Sequence, residues 1–160
     1  MERANIGLSK EQRENVAKVL NTVLADETVL YQKTRNFHWN VRGPRFNDLH
    51  AFFEEHYNEL ETIIDDVAER VRAIGVFATG TLKEFSEKTR LEEKPKSYPS
   101  AEDMLRQLLV DHEKIIQNLR KDIVTVGEKY EDVGTEDFLT GLLTAHEKTA
   151  WMIRSLAEEL

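Results

Sequence analysis

Residues 36–75 read NFHWNVRGPRFNDLHAFFEEHYNELETIIDDVAERVRAIG. Two imidazoles, His38 and His50, and three carboxylates, Glu54, Asp65 and Glu69, make a hard nitrogen and oxygen donor set of the kind that suits iron(II) or manganese. Placed on a helix at about 100° per residue with His50 at zero, Glu54 falls near 40°, Asp65 near 60° and Glu69 near 100°. Leu49, Phe53, Leu60, Ile64, Val67, Val71 and Ile74 cluster between roughly −120° and −40°, which defines the core face. The two stripes are centred about 140° apart, so the donors point away from the core.

Glu54 and Asp65 are eleven residues apart in the sequence. At 1.5 Å per residue that is about 16 Å along the axis, far beyond metal bonds of about 2 Å. One chain therefore offers two half-sites: His50 with Glu54, and Asp65 with Glu69. A second copy of the helix lying antiparallel, with a two-fold axis near Glu59 and Leu60, sets each upper pair beside the other chain's lower pair. His38 joins the upper pair if Gly43 and Pro44 turn the chain back beside the start of this helix, and Trp39 follows it directly.

Outward from this stretch the chain gives three more long helical patterns. Ser9 with Gln12 forms a capping box for a first helix running to about His38, with Val16, Val19, Leu20, Val23 and Leu30 at helical spacing. Asn47 or Asp48 is the expected cap of the second, which ends at Gly75. A crossover from Val76 to Pro99 carries a short helical piece, LKEFSEK, after Thr81. Ser100 with Asp103 caps a third helix that fades near Gly127, and Thr135 starts a fourth that runs through Trp151 and Leu156. Two short connections flanking one long crossover predict an all-α, ferritin-like four-helix bundle with a short extra helix in that crossover. A single domain over residues 1–160 is expected, with residues 1–8 as a short N-terminal extension.

Composition narrows the class. The chain has 160 residues, 40% apolar and 32% charged, with three prolines, seven glycines and no cysteine. That balance favours long solvated helices and leaves no disulfide, zinc ribbon or thiol nucleophile. The opening MERANIGLSKEQ has no apolar h-region and no run approaches the roughly 18 apolar residues of a membrane span, so a cytoplasmic protein without membrane contact is expected. A formal charge of −8 favours cations over nucleic acid or anionic lipid.

An i, i+4 acidic pair on a solvated helix face is commonplace. Like carboxylates at that spacing repel by a few tenths of a kcal/mol, however, so a stripe of them asks for a cation. His56 falls near −120°, on the core side, where a hydrogen-bonded histidine is expected. His112 and His146 precede Glu113 and Glu147 but make no HExxH zinc helix, and no chemistry attaches to them. Bundle-core di-iron sites use Glu-x-x-His. The residues three before each histidine are Arg35, Asn47, Phe53, Leu109 and Leu143, which disfavours that arrangement. Phosphate-loop, nucleophile-elbow and nucleic-acid-recognition signatures are absent.

The run 36–75 resembles the signature of the Dps family, the DNA-protecting mini-ferritins of starved cells, and the similarity in helix layout extends over nearly the whole chain. The resemblance implies a hollow dodecamer that oxidises Fe(II), preferentially with hydrogen peroxide, and stores ferric oxide inside. In that family the ferroxidase site lies at a subunit two-fold, and His38, His50 and Glu54 from one chain with Asp65 and Glu69 from its partner match its donors. The family commonly has Asp where this chain has Glu54. Trp39 matches a tryptophan beside the site, implying electron donation and interception of stray oxidant, and Trp151 matches a second one; packing is the alternative for both. Asp137 lies where the family often has a three-fold pore acid, and Asp132 and Glu136 complete an acidic cluster there. Complementation of a helix dipole is the alternative for these acids.

Direct DNA binding is not expected. The eight residues before Ser9 contain one Arg and one Glu, the chain ends AEEL, and no Lys and Arg cluster is visible. The competing reading is a DNA-binding nucleoid protein whose metal site is secondary or degenerate.

Overall fold

The computed structural model describes residues 4–157. Expectations resting on residues 1–3 and on the terminal Glu158, Glu159 and Leu160 lie outside the described residues. Four long helices form the bundle: α1 (Lys10–Asn40), α2 (Phe46–Ala73), α4 (Ala101–Val124) and α5 (Val133–Ala157), with a short α3 (Leu82–Lys88) in the crossover. No strand occurs among the described residues, and no helix there is long and apolar enough to cross a membrane.

α1 begins as its sequence directs. Ser9 Oγ accepts the Gln12 N–H at 3.2 Å and Gln12 Oε1 accepts the Ser9 N–H at 2.8 Å, which satisfies two of the donors a helix start leaves orphaned. The start of α2 differs from expectation. Gly43, at φ 117°, lets its carbonyl accept the Phe46 N–H at 3.1 Å, so a tight turn delivers the chain directly into the helix. Arg45 takes the cap position without a side-chain bond, and Asn47 and Asp48 lie inside the first turn, where Asp48 still complements the dipole.

The crossover is pinned by a buried charge. Asp26 of α1, 1% exposed, accepts from Thr89 Oγ1 at 3.0 Å, from the Arg90 N–H at 2.6 Å and from Arg90 Nε at 2.7 Å. Arg90 also donates to Asp122 of α4 at 2.8 Å. A buried carboxylate is tolerable only when its lone pairs are filled in this way. Residues Thr81 and Glu84 make a capping box for α3.

Two boundaries near the last turn of the chain are corrected. The third helix does not fade at Gly127: it passes into one π-helical turn, Thr125–Lys129. The Glu136 carboxylate lies over Gly127, 2.5 Å from where a Cβ would stand, so a side chain there would have to displace the end of Glu136. α5 begins two residues before Thr135. Asp132 caps it by accepting the Thr135 N–H at 3.0 Å and the Thr135 hydroxyl at 2.6 Å. Arg70 of α2 donates to the same carboxylate at 3.2 Å and to Thr135 Oγ1 at 3.0 Å, tying the two helices together.

The core runs down the bundle axis through Leu20, Leu24 and Leu30 of α1, Leu49 and Phe53 of α2, Leu105 and Leu119 of α4, and Leu139 and Ile153 of α5. On α2 the expected apolar face is the buried one, and Glu54, Asp65 and Glu69 are exposed. The donor stripe thus remains on the outer surface of the bundle.

Candidate metal centre

His38 closes α1 and is buried; His50 sits half-buried in the second turn of α2. Five residues of turn bring them together, and their rings stack with centroids 3.7 Å apart and planes at 20°. The His38 Nδ1–H donates to the His50 carbonyl at 2.8 Å, and the His50 Nδ1–H donates to the His38 carbonyl at 2.9 Å. A carbonyl can only accept, so both Nδ1 atoms carry the proton and both Nε2 atoms keep their lone pairs. Metal-binding histidines are held in this manner, with the second ring nitrogen donating to an oxygen. Phe46 also stacks on His50, at 5.0 Å, and Tyr57 meets the His38 ring edge-on at 5.2 Å.

Glu54 lies one turn beyond His50, and its Oε1 accepts from the Tyr57 hydroxyl at 3.4 Å. Asp65 and Glu69 stand further along the same outer stripe, and neither makes an ion pair among the described residues. No three donor side chains of the single chain converge on one point among those residues. The eleven-residue separation along α2 imposes that. His38 and His50 are brought together, Glu54 follows one turn along α2, and Asp65 and Glu69 are not brought to them.

Three neighbours of this cluster escaped the sequence reading. The Arg35 guanidinium lies 5.5 Å from the Tyr31 ring, 5.2 Å from Trp39 and 5.3 Å from Tyr57, and donates to the Tyr31 hydroxyl at 2.7 Å. Tyr31, Arg35 and Trp39 recur every four residues, which stacks them on one face of α1. That spacing was the available signal. Burial, with the Glu54 charge and hydrogen bond, pushes the Tyr57 hydroxyl above its ordinary value, so it stays protonated and donating at neutral pH. Trp39 itself is 58% exposed in one chain and Trp151 60%.

The remaining candidates are placed as follows. His56 is core-facing as expected and donates its Nδ1–H to the Phe52 carbonyl at 2.7 Å. Of the three acids near the α4 to α5 turn, Asp132 is buried, and its carboxylate turns into the fold to cap α5 and pair with Arg70. Glu136 is half-buried over Gly127, and Asp137 is exposed.

Residues 17–160 match the family model described as a ferritin-like domain. The chain is 46% identical over 158 residues to an uncharacterized low temperature-induced protein of Nostoc, covering 99% of this chain and 88% of the relative. It is 40% identical over 144 residues to DNA protection during starvation protein 2 of Bacillus anthracis, covering 90% of this chain and 97% of that protein. The crystal structure of the Dps protein of Vibrio cholerae superposes with a TM-score of 0.89 at 28% identity, covering 98% and 97% of the two chains. The chain belongs to the Dps family. That Vibrio Dps protein is described as a member of a broad superfamily of ferritin-like diiron-carboxylate proteins. In the present Dps chain the imidazole pair with bare Nε2 atoms and the nearby uncompensated carboxylates are donors chemically suited to iron.

Proposed function

We propose that this Dps protein is an iron-storing, iron-detoxifying ferroxidase. His38, His50 and Glu54 of one chain and Asp65 and Glu69 of a second copy hold its Fe(II) substrate at each end of a two-fold interface. The observation that carries the reading is the reciprocal bonding of His38 and His50, which presents two bare Nε2 atoms one helical turn from Glu54. The exposed, unpaired Asp65 and Glu69 supply what a single chain lacks.

Hydrogen peroxide is the preferred oxidant in this reading. Two Fe(II) ions each give one electron; the O–O bond takes the pair, two protons are added, and two waters leave. One-electron reduction would instead release hydroxyl radical, so pairing the ions is the protective step. Trp39 and Tyr57, linked through Arg35, are oxidisable rings positioned to intercept stray oxidant beside the site.

The whole chain acts as a single Dps domain in a hollow dodecamer that stores the ferric product. Twelve chains of formal charge −8 would carry about −96, a field that concentrates Fe(II). Asp137, with Glu136 beside it, is the candidate pore acid, since Asp132 faces inward. DNA is protected by removal of iron and peroxide, without direct contact. The nucleoid-binding alternative predicts retardation of DNA in a low-salt gel shift at micromolar protein; none is expected.

The deciding experiment mixes Fe(II) with peroxide under anaerobic conditions. Wild type should oxidise iron far faster than His38→Ala or Asp65→Ala. Equal rates would sink the assignment. Light scattering tests the shared geometry separately, since a stable monomer is incompatible with it.

A further inference from the structure

Three aromatic rings share one cation beside the proposed metal centre, and they differ in whether a base stands ready to take a proton. The Arg35 guanidinium lies 5.2 Å from the Trp39 ring, 5.3 Å from Tyr57 and 5.5 Å from Tyr31. A positive hole left on any of these rings is repelled by that charge unless the ring sheds a proton as it is oxidised. The Trp39 ring is 58% exposed, and its indole N–H has no acceptor among the described residues. The Tyr31 hydroxyl accepts from Arg35 Nη1 at 2.7 Å, so its oxygen faces the cation. Of the three, only Tyr57 donates to a carboxylate, with its hydroxyl 3.4 Å from Glu54 Oε1. Tyr57 also meets the His38 ring edge-on at 5.2 Å, which sets it against both a nitrogen donor and an oxygen donor of the half-site.

We propose that Tyr57 is the electron and proton donor that completes peroxide reduction when the site holds a single Fe(II). The inference rests on the ferroxidase reading. Fe(II) supplies one electron to the O–O bond and Tyr57 supplies the other. That bond breaks, the hydroxyl proton leaves along the hydrogen bond to Glu54, a second proton comes from solvent, and two waters form. The reactants are thus Fe(II), tyrosine, hydrogen peroxide and one proton; the products are Fe(III), a neutral tyrosyl radical and two waters. No hydroxyl radical is released, because the peroxide takes its electrons as a pair. The next Fe(II) to arrive reduces the tyrosyl radical, which takes up a proton, so two irons are still oxidised per peroxide. Arg35 does not oppose a neutral radical, whereas it does oppose a tryptophan cation radical on Trp39.

The test loads the assembled, metal-free protein with one Fe(II) per subunit, half of what the paired sites would take, and adds hydrogen peroxide without oxygen. Samples frozen within the first turnover are read by electron paramagnetic resonance. Wild type should show a tyrosyl signal that narrows with ring-deuterated tyrosine and does not change with ring-deuterated tryptophan. Tyr57→Phe keeps the ring and its packing, but it should abolish the signal and raise spin-trapped hydroxyl radical severalfold. Tyr31→Phe should keep the signal. Gel filtration and circular dichroism confirm assembly of each variant. A tryptophanyl signal in wild type overturns the proposal without any substitution, and so does a tyrosyl signal that survives Tyr57→Phe. Two Fe(II) per subunit test the ferroxidase reading separately. Fast oxidation there, with no tyrosyl radical at half loading, sinks only the role of Tyr57; slow oxidation at full loading sinks both.

Discussion

His38 and His50 each donate Nδ1–H to the other's backbone carbonyl, at 2.8 and 2.9 Å, across the turn that joins α1 to α2. Each ring is held by the other residue's main chain and stacked on the other's ring at 3.7 Å, so removal of either side chain leaves the survivor its hydrogen bond but strips it of the stacking partner and the second imidazole. The two residues should act as one unit. His38→Ala and His50→Ala should each cost nearly as much peroxide-driven iron oxidation as the double substitution. Additive losses in the initial rates would show that the pairing does not matter to the chemistry.

The half-site arrangement predicts complementation. Neither His38→Ala nor Asp65→Ala protein should oxidise iron at the fast rate alone. Unfolded together and reassembled, mixed pairs contain one doubly damaged site and one intact site. Random pairing should restore about one quarter of the wild-type sites. Stopped-flow absorbance of the ferric product measures this, and a mixture no faster than its components would place all five donors within one chain's reach.

Glu54 reaches one methylene further than the aspartate common in the family, and Tyr57 holds its carboxylate at 3.4 Å. Its charge matters more than its length if the half-sites can adjust along the interface. Glu54→Asp should keep the oxidation rate within about threefold, whereas Glu54→Gln should lower it by on the order of tenfold or more. Comparable losses in both variants would mean that the carboxylate position is the tighter constraint.

Asp132 unites the start of α5 with α2 through Thr135 and Arg70. Asp132→Ala removes a helix cap worth about 0.5–2 kcal/mol and strips Arg70 of its partner. At about 2–4 °C per kcal/mol the apparent Tm should fall by several degrees. Asp137→Ala, an exposed change, should leave it unmoved. Calorimetry on metal-free protein reads both.

His112 is held neutral by burial, with the His146 and His56 rings adding to the effect. Its folded value lies below its unfolded one, so as the pH falls through about 6.5 the unfolded chain takes up a proton that the folded chain does not. Stability is fully present above that pH and declines below it, by up to about 1.4 kcal/mol per pH unit for one proton. Melts in chelator between about pH 7.5 and 5.5 should show a shallower decline for His112→Gln. A steeper decline would reverse the assigned sign.

Composition and four helical patterns along the chain determined the all-α class, and the periodicity of residues 36–75 determined the core face of α2 and the outward direction of Glu54, Asp65 and Glu69, because helical spacing maps sequence onto faces directly. Ser9, Ser100 and the crossover helix were equally legible, since capping is a contact between residues three apart. What lay beyond reach were relationships between distant residues. The tight turn at Gly43 left α2 without the side-chain cap expected of Asn47 or Asp48, and Asp132 displaced Thr135 as the start of α5 because Arg70, sixty-two positions away, meets it. Glu27 of α1 was not singled out from the sequence, since its partner His146 is 119 positions away. Which ring nitrogens of His38 and His50 carry protons is set by carbonyls that only the pairing of α1 with α2 brings within hydrogen-bond distance.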